Sequence, residues 1–252
     1  MGRMMGTRPR EGVFTTLLWD EDRGVADLPL HERRLVDHGA RLRLNPDLAS
    51  LRSALHHGMQ HATGQRLVRA MWSMDGWTCT DRPLDAAMDD VDAITVAAPR
   101  WAGAVTGTKH AAWAWNTEVM DAAESMGADA ALLVHDHRIV DERRSCPVLL
   151  DEDGVCWAAR EADGGVQSIT LEAIAPRLER AGFPVQRGDL NERRVARSRA
   201  MVLFGTGLGA VGVSSIDGVG FEEPTDVLLA IATTLINEHR ASPSTWTRLE
   251  GD

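Results

Sequence analysis

The stretch that decides the fold is residues 99–108, PRWAGAVTGT, because it separates two halves that each mix strand and helix patterns. It is short, rich in small residues and without a hydrophobic period, as expected for a connection. Lys109 follows it directly. The sequence therefore predicts an α+β protein with a first domain over 1–98, an interdomain loop over 99–108 and a second domain over 109–252.

The half before this stretch opens with a strand pattern and continues with two helical ones. The predicted elements are a strand over 13–19 (VFTTLLW), a helix over 29–43 that begins at Pro29, a helix that begins at 45–47 (NPD), and strands over 66–73 and 92–97.

The half after it alternates helices and short strands. We expect a helix over 110–126 closed by Gly127, strands over 130–134, 138–142, 147–150 and 155–158, a helix over 169–182 bent at Pro176, strands over 200–206 and 211–216, and a helix over 225–239.

Composition excludes several classes of protein. No apolar run approaches the ~20 residues that a membrane span needs. The net charge of -10 argues against a nucleic-acid partner, since phosphate binding requires clustered cations. The broken arginine-rich stretch 187–199 is expected to be a solvated helix or turn.

The three cysteines point to a reducing compartment. Cys79, Cys146 and Cys156 are odd in number and lack CxxC spacing, so neither a disulfide framework nor a zinc site is expected. The first twelve residues have no apolar run of the kind found in a secretory leader. We therefore expect a cytoplasmic protein without a metal.

A single lysine stands against 26 arginines. Arginine replaces lysine wherever only a surface charge is needed, but its guanidinium stays protonated and does not act as an amine nucleophile. Lys109 is therefore a candidate for an imine with a carbonyl group. The alternative is that codon bias removed the other lysines and this one remained by chance.

Six short motifs occur along the chain, and one of them contains this lysine. In the second half they are GTKH (107–110), IVDE (139–142), GVQSIT (165–170) and FGTG (204–207); in the first half they are GVFTT (12–16) and HxxRL (31–35). Together they resemble the fold-type IV pyridoxal-phosphate enzymes, the family of aminodeoxychorismate lyase and of the branched-chain and D-amino-acid aminotransferases.

The resemblance implies a role for each motif. Lys109 would carry pyridoxal 5'-phosphate as a Schiff base and serve as the proton-transfer base. Glu142 would pair with the ring nitrogen, and Arg34 would bind the phosphate. Thr16 would place a hydroxyl near the reacting carbon, and His31 would cap or pack. The remaining phosphate contacts would come from Ser168, Ile169, Thr170, Thr206 and Gly207.

The chain departs from the family pattern at several points. The strands that precede GVF in the family are almost missing, so the expected fold has truncated N-terminal strands. Cys146-Pro147 stands where an asparagine is usual. In the phosphate loop, Ser168 replaces a glycine and Leu171 an arginine. The chain also lacks tyrosine, which contacts the cofactor in many aminotransferases.

The FTT sequence, the lysine–histidine pair and the missing tyrosine resemble the lyases most. The resemblance then implies conversion of 4-amino-4-deoxychorismate to 4-aminobenzoate and pyruvate, a step of folate synthesis. A class IV aminotransferase acting on branched-chain or D-amino acids is the alternative. A third possibility is a family member without turnover. The resemblance also implies a small-molecule amine as the substrate and a homodimer as the assembly.

Overall fold

The computed structural model describes residues 8–84, 88, 90–221 and 226–249. Contacts within the chain divide it into two compact units. The first consists of Met1–Asp85, Thr108–Trp113 and Arg240–Asp252, and the second of Ala86–Gly107 and Ala114–His239. Residues 1–7 are part of the stretch that is expected to lack a secretory leader, and they are not among the described residues. The same holds for residue 225, the predicted start of the last helix.

Six helices and fifteen strands occur in the described part of the chain. The helices are α1 (Leu28–Leu42), α2 (Leu51–Gly58), α3 (Ala114–Ser125), α4 (Ile169–Arg180), α5 (Glu192–Ala196) and α6 (Asp226–Ala241). The strands are β1 (Gly12–Asp20), β2 (Gly24–Ala26), β3 (Gln65–Ser73), β4 (Gly76–Pro83), β5 (Asp90–Ala97), β6 (Ala130–His135), β7 (Arg138–Glu142), β8 (Cys146–Leu150), β9 (Cys156–Ala159), β10 (Val185–Gly188), β11 (Leu190–Asn191), β12 (Ala200–Gly205), β13 (Gly209–Ile216), β14 (Val219–Gly220) and β15 (Trp246–Thr247).

The first unit is an antiparallel sheet with helices on it. Its strands run in the order β15-β2-β1-β3-β4, and β1 pairs with β3 along its whole length, from Gly12 opposite Ser73 to Asp20 opposite Gln65. α1 begins with Pro29 in its first turn, where the missing N–H costs nothing. Its buried side carries apolar residues and also His31, Arg34 and His38.

The second unit is built on a larger mixed sheet with the order β10-β9-β8-β12-β13-β5-β6-β7-β11, and β14 pairs with β13. β5 runs parallel to both β13 and β6. The central strand β12 is buried on both faces, since Val202 and Phe204 pack in one apolar cluster with α4 and α6 while Met201 and Leu203 pack in another. The mixed α+β class that the sequence predicts is confirmed.

Two predicted helices begin later than expected. α2 starts at Leu51, because the Asp47 carboxylate binds the Ala49 N–H and the Ser50 hydroxyl in a turn instead of capping a helix. α3 starts at Ala114 because the residues before it, which include His110, pair with β1 as an extra extended segment. The sequence pattern also missed β4, whose exposed residues carry little apolar alternation.

α4 continues through Pro176 as one helix.

No helix in the described part of the chain is both long and apolar enough to cross a membrane. All three cysteines are free thiols.

Candidate functional site: a clamped lysine in the first unit and a glutamate turn in the second

The lysine segment, residues 108–113, is held against β1 by backbone hydrogen bonds. The Phe14 N–H donates to the Lys109 carbonyl over 3.1 Å, and the Ala111 N–H donates to the Gly12 carbonyl over 2.9 Å. Between them, Val13 and His110 form an isolated antiparallel bridge. Because this short segment borrows strand pairing from β1, the lysine backbone has a fixed position although no helix or regular strand contains it.

A glycine turn precedes the lysine segment. Gly107 has φ +71°, and a Cβ there would lie 2.4 Å from the Glu161 carbonyl oxygen. Only glycine satisfies both the left-handed backbone and the close approach. The glycine of the GTKH motif is therefore required by local backbone geometry.

Aromatic rings surround the lysine amine. Lys109 Nζ lies 4.6 Å from the centroid of the Trp113 ring and 5.2 Å from that of Phe14. The two rings meet edge to face, with centroids 5.1 Å apart. Aromatic faces attract a cation, so the two rings hold the lysine amine near them.

A buried hydroxyl joins Arg34 to His31. The Thr15 Oγ1 accepts a hydrogen bond from Arg34 Nη2 over 2.5 Å and lies 2.7 Å from His31 Nδ1. A hydroxyl has one proton and two lone pairs, so the Thr15 oxygen can bind both side chains at once. Arg34, only 3% exposed, is thereby held in one orientation on the buried side of α1.

Three histidines beside these cations are kept neutral. Burial, followed by the positive charges of Arg34 and Lys109, holds the pKa of His31 well below its ordinary value. Burial lowers the pKa of His38 to about 2, with Arg34 the next cause. Burial and the neighbouring Lys109 lower the pKa of His110 to about 4. The positive charge in this region therefore comes from the buried Arg34 and the half-buried Lys109, which suits an anionic ligand.

Thr16 lies on the face of β1 opposite to Thr15, because successive strand side chains alternate. It shares that face with Phe14, and Arg69 on β3 is its direct cross-strand partner. The Arg69 guanidinium lies 3.8 Å over the Phe14 ring, and burial lowers its pKa. Across the described residues Arg69 has no carboxylate partner. Arg69 is not among the predicted site residues, because only the strand register places it opposite Thr16 of the GVFTT motif.

Glu142 ends β7 in the second unit and is 2% exposed. Its Oε2 accepts hydrogen bonds from the Ser145 hydroxyl over 2.5 Å and from the Arg144 N–H over 2.8 Å. Its Oε1 is buried and has no hydrogen-bond partner within the described ranges. Buried carboxylate oxygens are rarely left without a donor, so this atom is suited to an N–H of a ligand.

The start of α4 presents backbone N–H groups. Ser168 is its N-cap, and its Oγ accepts from the Leu171 N–H over 3.3 Å and lies 3.4 Å from the Phe204 carbonyl oxygen. Ile169 and Thr170 form the first turn, where N–H groups lack partners within the helix and attract anions. Thr206 and Gly207 lie in the turn that follows β12, two and three residues beyond Phe204.

The two units thus carry different members of the predicted site. The first holds Lys109, Arg34 and Thr16; the second holds Glu142, Ser168, Ile169, Thr170, Thr206 and Gly207. Within the second unit, the Ser168–Phe204 contact brings the α4 start close to the turn at 206–207.

These residues fit the cofactor that the motifs imply. The unpartnered Oε1 of Glu142 matches a protonated pyridine nitrogen, and the aromatic-lined amine of Lys109 matches an aldehyde carbon. Arg34 and the α4 start match a phosphate dianion. Nothing in the donor set conflicts with pyridoxal phosphate.

Comparison with known proteins gives a consistent result. Residues 12–216 match the model of the family described as amino-transferase class IV. A comparison with curated proteins found no match.

Solved structures share the fold at low sequence identity. A hypothetical aminotransferase from Mycobacterium tuberculosis in its PLP-bound form has a TM-score of 0.78 and 19% identity, over 92% of this chain and 89% of that one. A candidate 4-amino-4-deoxychorismate lyase from Legionella pneumophila has 0.77 and 17%, over 95% and 96%. A branched-chain aminotransferase from Thermoproteus uzoniensis has 0.74 and 16%, over 92% and 84%.

Proposed function

Because the chain belongs to the class IV aminotransferase family, we propose that it is a lyase that converts 4-amino-4-deoxychorismate to 4-aminobenzoate and pyruvate. Pyridoxal phosphate is the cofactor of this family, and the protein is a PLP-dependent enzyme. When bound, the cofactor supplies an electron sink for the bonds at the amine-bearing carbon. The chain's own residues must then bind it, orient it and move protons.

In this proposal Lys109 holds the cofactor covalently through Nζ. Nζ would then also serve as the base that takes the proton from the amine-bearing ring carbon of the substrate. The Phe14 and Trp113 rings keep water from the amine, and the lowered pKa of His110 keeps that neighbour from competing as a cation.

Arg34 and Glu142 bind the two ends of the cofactor. Arg34, oriented by Thr15, provides charge-assisted hydrogen bonds to the phosphate, which the first turn of α4 and the Thr206 hydroxyl supplement. Glu142 offers its Oε1 to the ring nitrogen, and its negative charge favours the protonated form of that nitrogen.

The observation that carries the lyase proposal is the arrangement of Phe14, Trp113 and Arg69. The substrate is an unsaturated ring acid whose product is aromatic, and aromatic faces beside the lysine amine suit such a ring. The Arg69 guanidinium, which no carboxylate of the described residues neutralises, suits the ring carboxylate. Thr16, opposite Arg69, adds a hydroxyl on the same strand face.

In the lyase reaction a proton leaves the amine-bearing carbon and the bond from the ring to the enolpyruvyl oxygen breaks. The departing enolate takes up a proton to become pyruvate, and the ring becomes aromatic. Substrate and products balance without an oxidant or a second substrate. Transamination instead requires an amino donor and a keto acceptor that bind in turn, which gives the two reactions different tests.

The experiment is a direct assay of the purified holoenzyme. The visible absorption band and borohydride trapping, followed by peptide mass spectrometry, report whether Lys109 carries the cofactor, with Lys109→Ala as the control. Incubation with 4-amino-4-deoxychorismate is expected to release 4-aminobenzoate and pyruvate in equal amounts.

Turnover of amino acids with 2-oxo acids, but not of 4-amino-4-deoxychorismate, would instead identify an aminotransferase. Trapped cofactor on Lys109 without turnover of either substrate type would identify a cofactor-binding protein. Either result would reject the lyase.

A further inference from the structure

The backbone of Lys109 is held at both of its polar atoms. Its carbonyl accepts from the Phe14 N–H, as in a strand pair. Its N–H donates over 3.1 Å to Nδ1 of His38, a side chain from another element. A backbone N–H that is bound by an imidazole rather than by a strand neighbour is unusual, and it links the lysine to α1.

His38 is built into the third turn of α1 and is 1% exposed. It follows Arg34 by four residues, so both side chains lie on the same side of the helix. The helix therefore carries the proposed phosphate-binding arginine and the lysine-binding histidine one turn apart.

The hydrogen bond fixes the chemical state of the imidazole. An Nδ1 that accepts from an N–H carries no proton, so the neutral ring has its proton on Nε2. A doubly protonated ring would turn Nδ1 into a donor facing another donor. The nearby charges of Arg34 and Lys109 also disfavour that form.

The contacts form a closed circuit within the first unit. Arg34 binds the Thr15 hydroxyl, and the neighbouring Phe14 binds the Lys109 carbonyl. The Lys109 N–H binds His38, which lies on α1 together with Arg34. A shift of the lysine backbone would break at least one of these bonds.

We propose that His38 is a positioning residue, which fixes the backbone of Lys109 relative to Arg34 so that the lysine amine meets the cofactor aldehyde while the phosphate is held. This inference rests on the proposed cofactor role of Lys109. His38 acts through the main chain of the lysine and takes no part in proton transfer.

The test compares two substitutions of His38, one that keeps a hydrogen-bond acceptor for the Lys109 N–H and one that removes it. In His38→Asn the side-chain oxygen takes the place of Nδ1 and still accepts the Lys109 N–H; in His38→Leu nothing does. Each protein, freed of cofactor, is mixed with pyridoxal phosphate. The rate of appearance of the visible band, the dissociation constant and the borohydride-trapped fraction on Lys109 are then measured.

We expect His38→Leu to slow band formation about tenfold or more, and to weaken binding by a similar factor, as the loss of a buried hydrogen bond implies. His38→Asn is expected to stay within about threefold of the wild-type protein. Leu35→Ala, a change of a fully buried residue on the same helix, serves as the control for general destabilisation. It should lower the melting temperature without slowing band formation.

Equal rates for His38→Leu and the wild-type protein would overturn the proposal. So would a slowing of His38→Asn, His38→Leu and Leu35→Ala in proportion to their loss of stability. If His38→Leu does not fold, His38→Gln, whose acceptor is displaced by one bond, replaces it in the comparison. A wild-type protein that traps no cofactor on Lys109 would reject the proposed function, which is a separate result.

Discussion

The lysine segment of the first unit and the glutamate turn of the second unit bury polar groups in opposite ways. Around Lys109 the buried groups are cations and neutral imidazoles, and His38 keeps an Nε2 without a hydrogen-bond partner among the described residues. Around Glu142 the buried group is an anion, and its Oε1 lacks a donor in the same part of the chain. The His38 nitrogen is a donor, whereas the Glu142 oxygen is an acceptor.

This difference indicates where a bound ligand would add most to stability. A buried polar atom without a partner costs about 1–3 kcal/mol, so a fold keeps one only where something else compensates. Each region, taken by itself, therefore keeps a buried polar atom that a ligand could satisfy. Several neighbouring polar atoms are held by hydrogen bonds, such as Thr15 with Arg34 in the first unit and Ser145 with Glu142 in the second.

The largest expected effect comes from removing the negative charge of the glutamate turn. Glu142→Gln keeps the contact to Ser145 but loses the charge at Oε1, so turnover should fall roughly 100-fold, or about 3 kcal/mol, while cofactor stays bound through Lys109. Steady-state kinetics and cofactor content measure the two effects separately.

The exposed Glu192 on α5 provides the matched change, and Glu192→Gln should retain full activity. Turnover of Glu142→Gln within about twofold of the wild-type rate would show that the excess acceptor has no role in the reaction.

The next effect is a loss of stability in acid that arises in the first unit. An unfolded chain protonates its histidines near pH 6.5, whereas His38 and His110 in the folded chain do so only near pKa values of about 2 and about 4. Stability from these groups is therefore complete above pH 6.5 and is lost as the pH falls towards 4. The loss should be on the order of 1 kcal/mol per histidine for each pH unit below 6.

Urea unfolding at a series of pH values measures this slope. His38→Gln should reduce it, and a change of the exposed His57 to Gln should leave it unchanged. A slope that His38→Gln does not alter would mean that this imidazole is charged in the folded chain.

A smaller effect separates the two threonines of β1. Thr15→Val removes the hydroxyl between His31 and Arg34 and should lower the free energy of unfolding by about 1–3 kcal/mol. Thr16→Val, on the other face of the strand, should change stability by less than about 0.5 kcal/mol but reduce turnover. Equal stability losses in the two variants would contradict the assignment of the buried face.

The smallest effect concerns the start of α4. Ser168→Ala should cost about 1 kcal/mol of stability through the lost N-cap, and should also weaken cofactor binding severalfold. Asn191 caps α5 in the same way, since its Oδ1 accepts from the Arg194 N–H over 3.0 Å.

Asn191→Ala should therefore lower the free energy of unfolding by a similar amount without changing cofactor affinity. Equal cofactor affinity in both variants would mean that Ser168 only caps the helix.

Much of the fold could be predicted because its elements have local signals. Strands such as β1 and β6 are apolar and bounded by turn residues, and α1 has a proline start. The start of α3 could not be predicted, because residues 110–113 have helix-compatible side chains but pair with a strand that lies about a hundred positions earlier. Pairing at such separation leaves no local pattern.

The site residues likewise fall into those that the sequence could predict and those that it could not. A lone lysine, a glutamate at the end of a strand and the spacing of short motifs were enough to name Lys109, Glu142 and Arg34 as candidates. Nothing local distinguishes Thr15 from Thr16, or His38 from any other histidine on a helix. Ser145 and Arg69 likewise owe their importance to neighbours that the fold supplies.

The sequence by itself therefore determined which chemistry the chain contains: one amine, one strand-end carboxylate, and an ordered set of motifs for an anionic cofactor. Only the tertiary structure decided which side chains hold these groups in place, such as Thr15 beside Arg34, His38 on the backbone of Lys109 and Ser145 on Glu142. The physical reason is that reactivity is a property of residue type, whereas orientation depends on contacts between segments far apart in the chain.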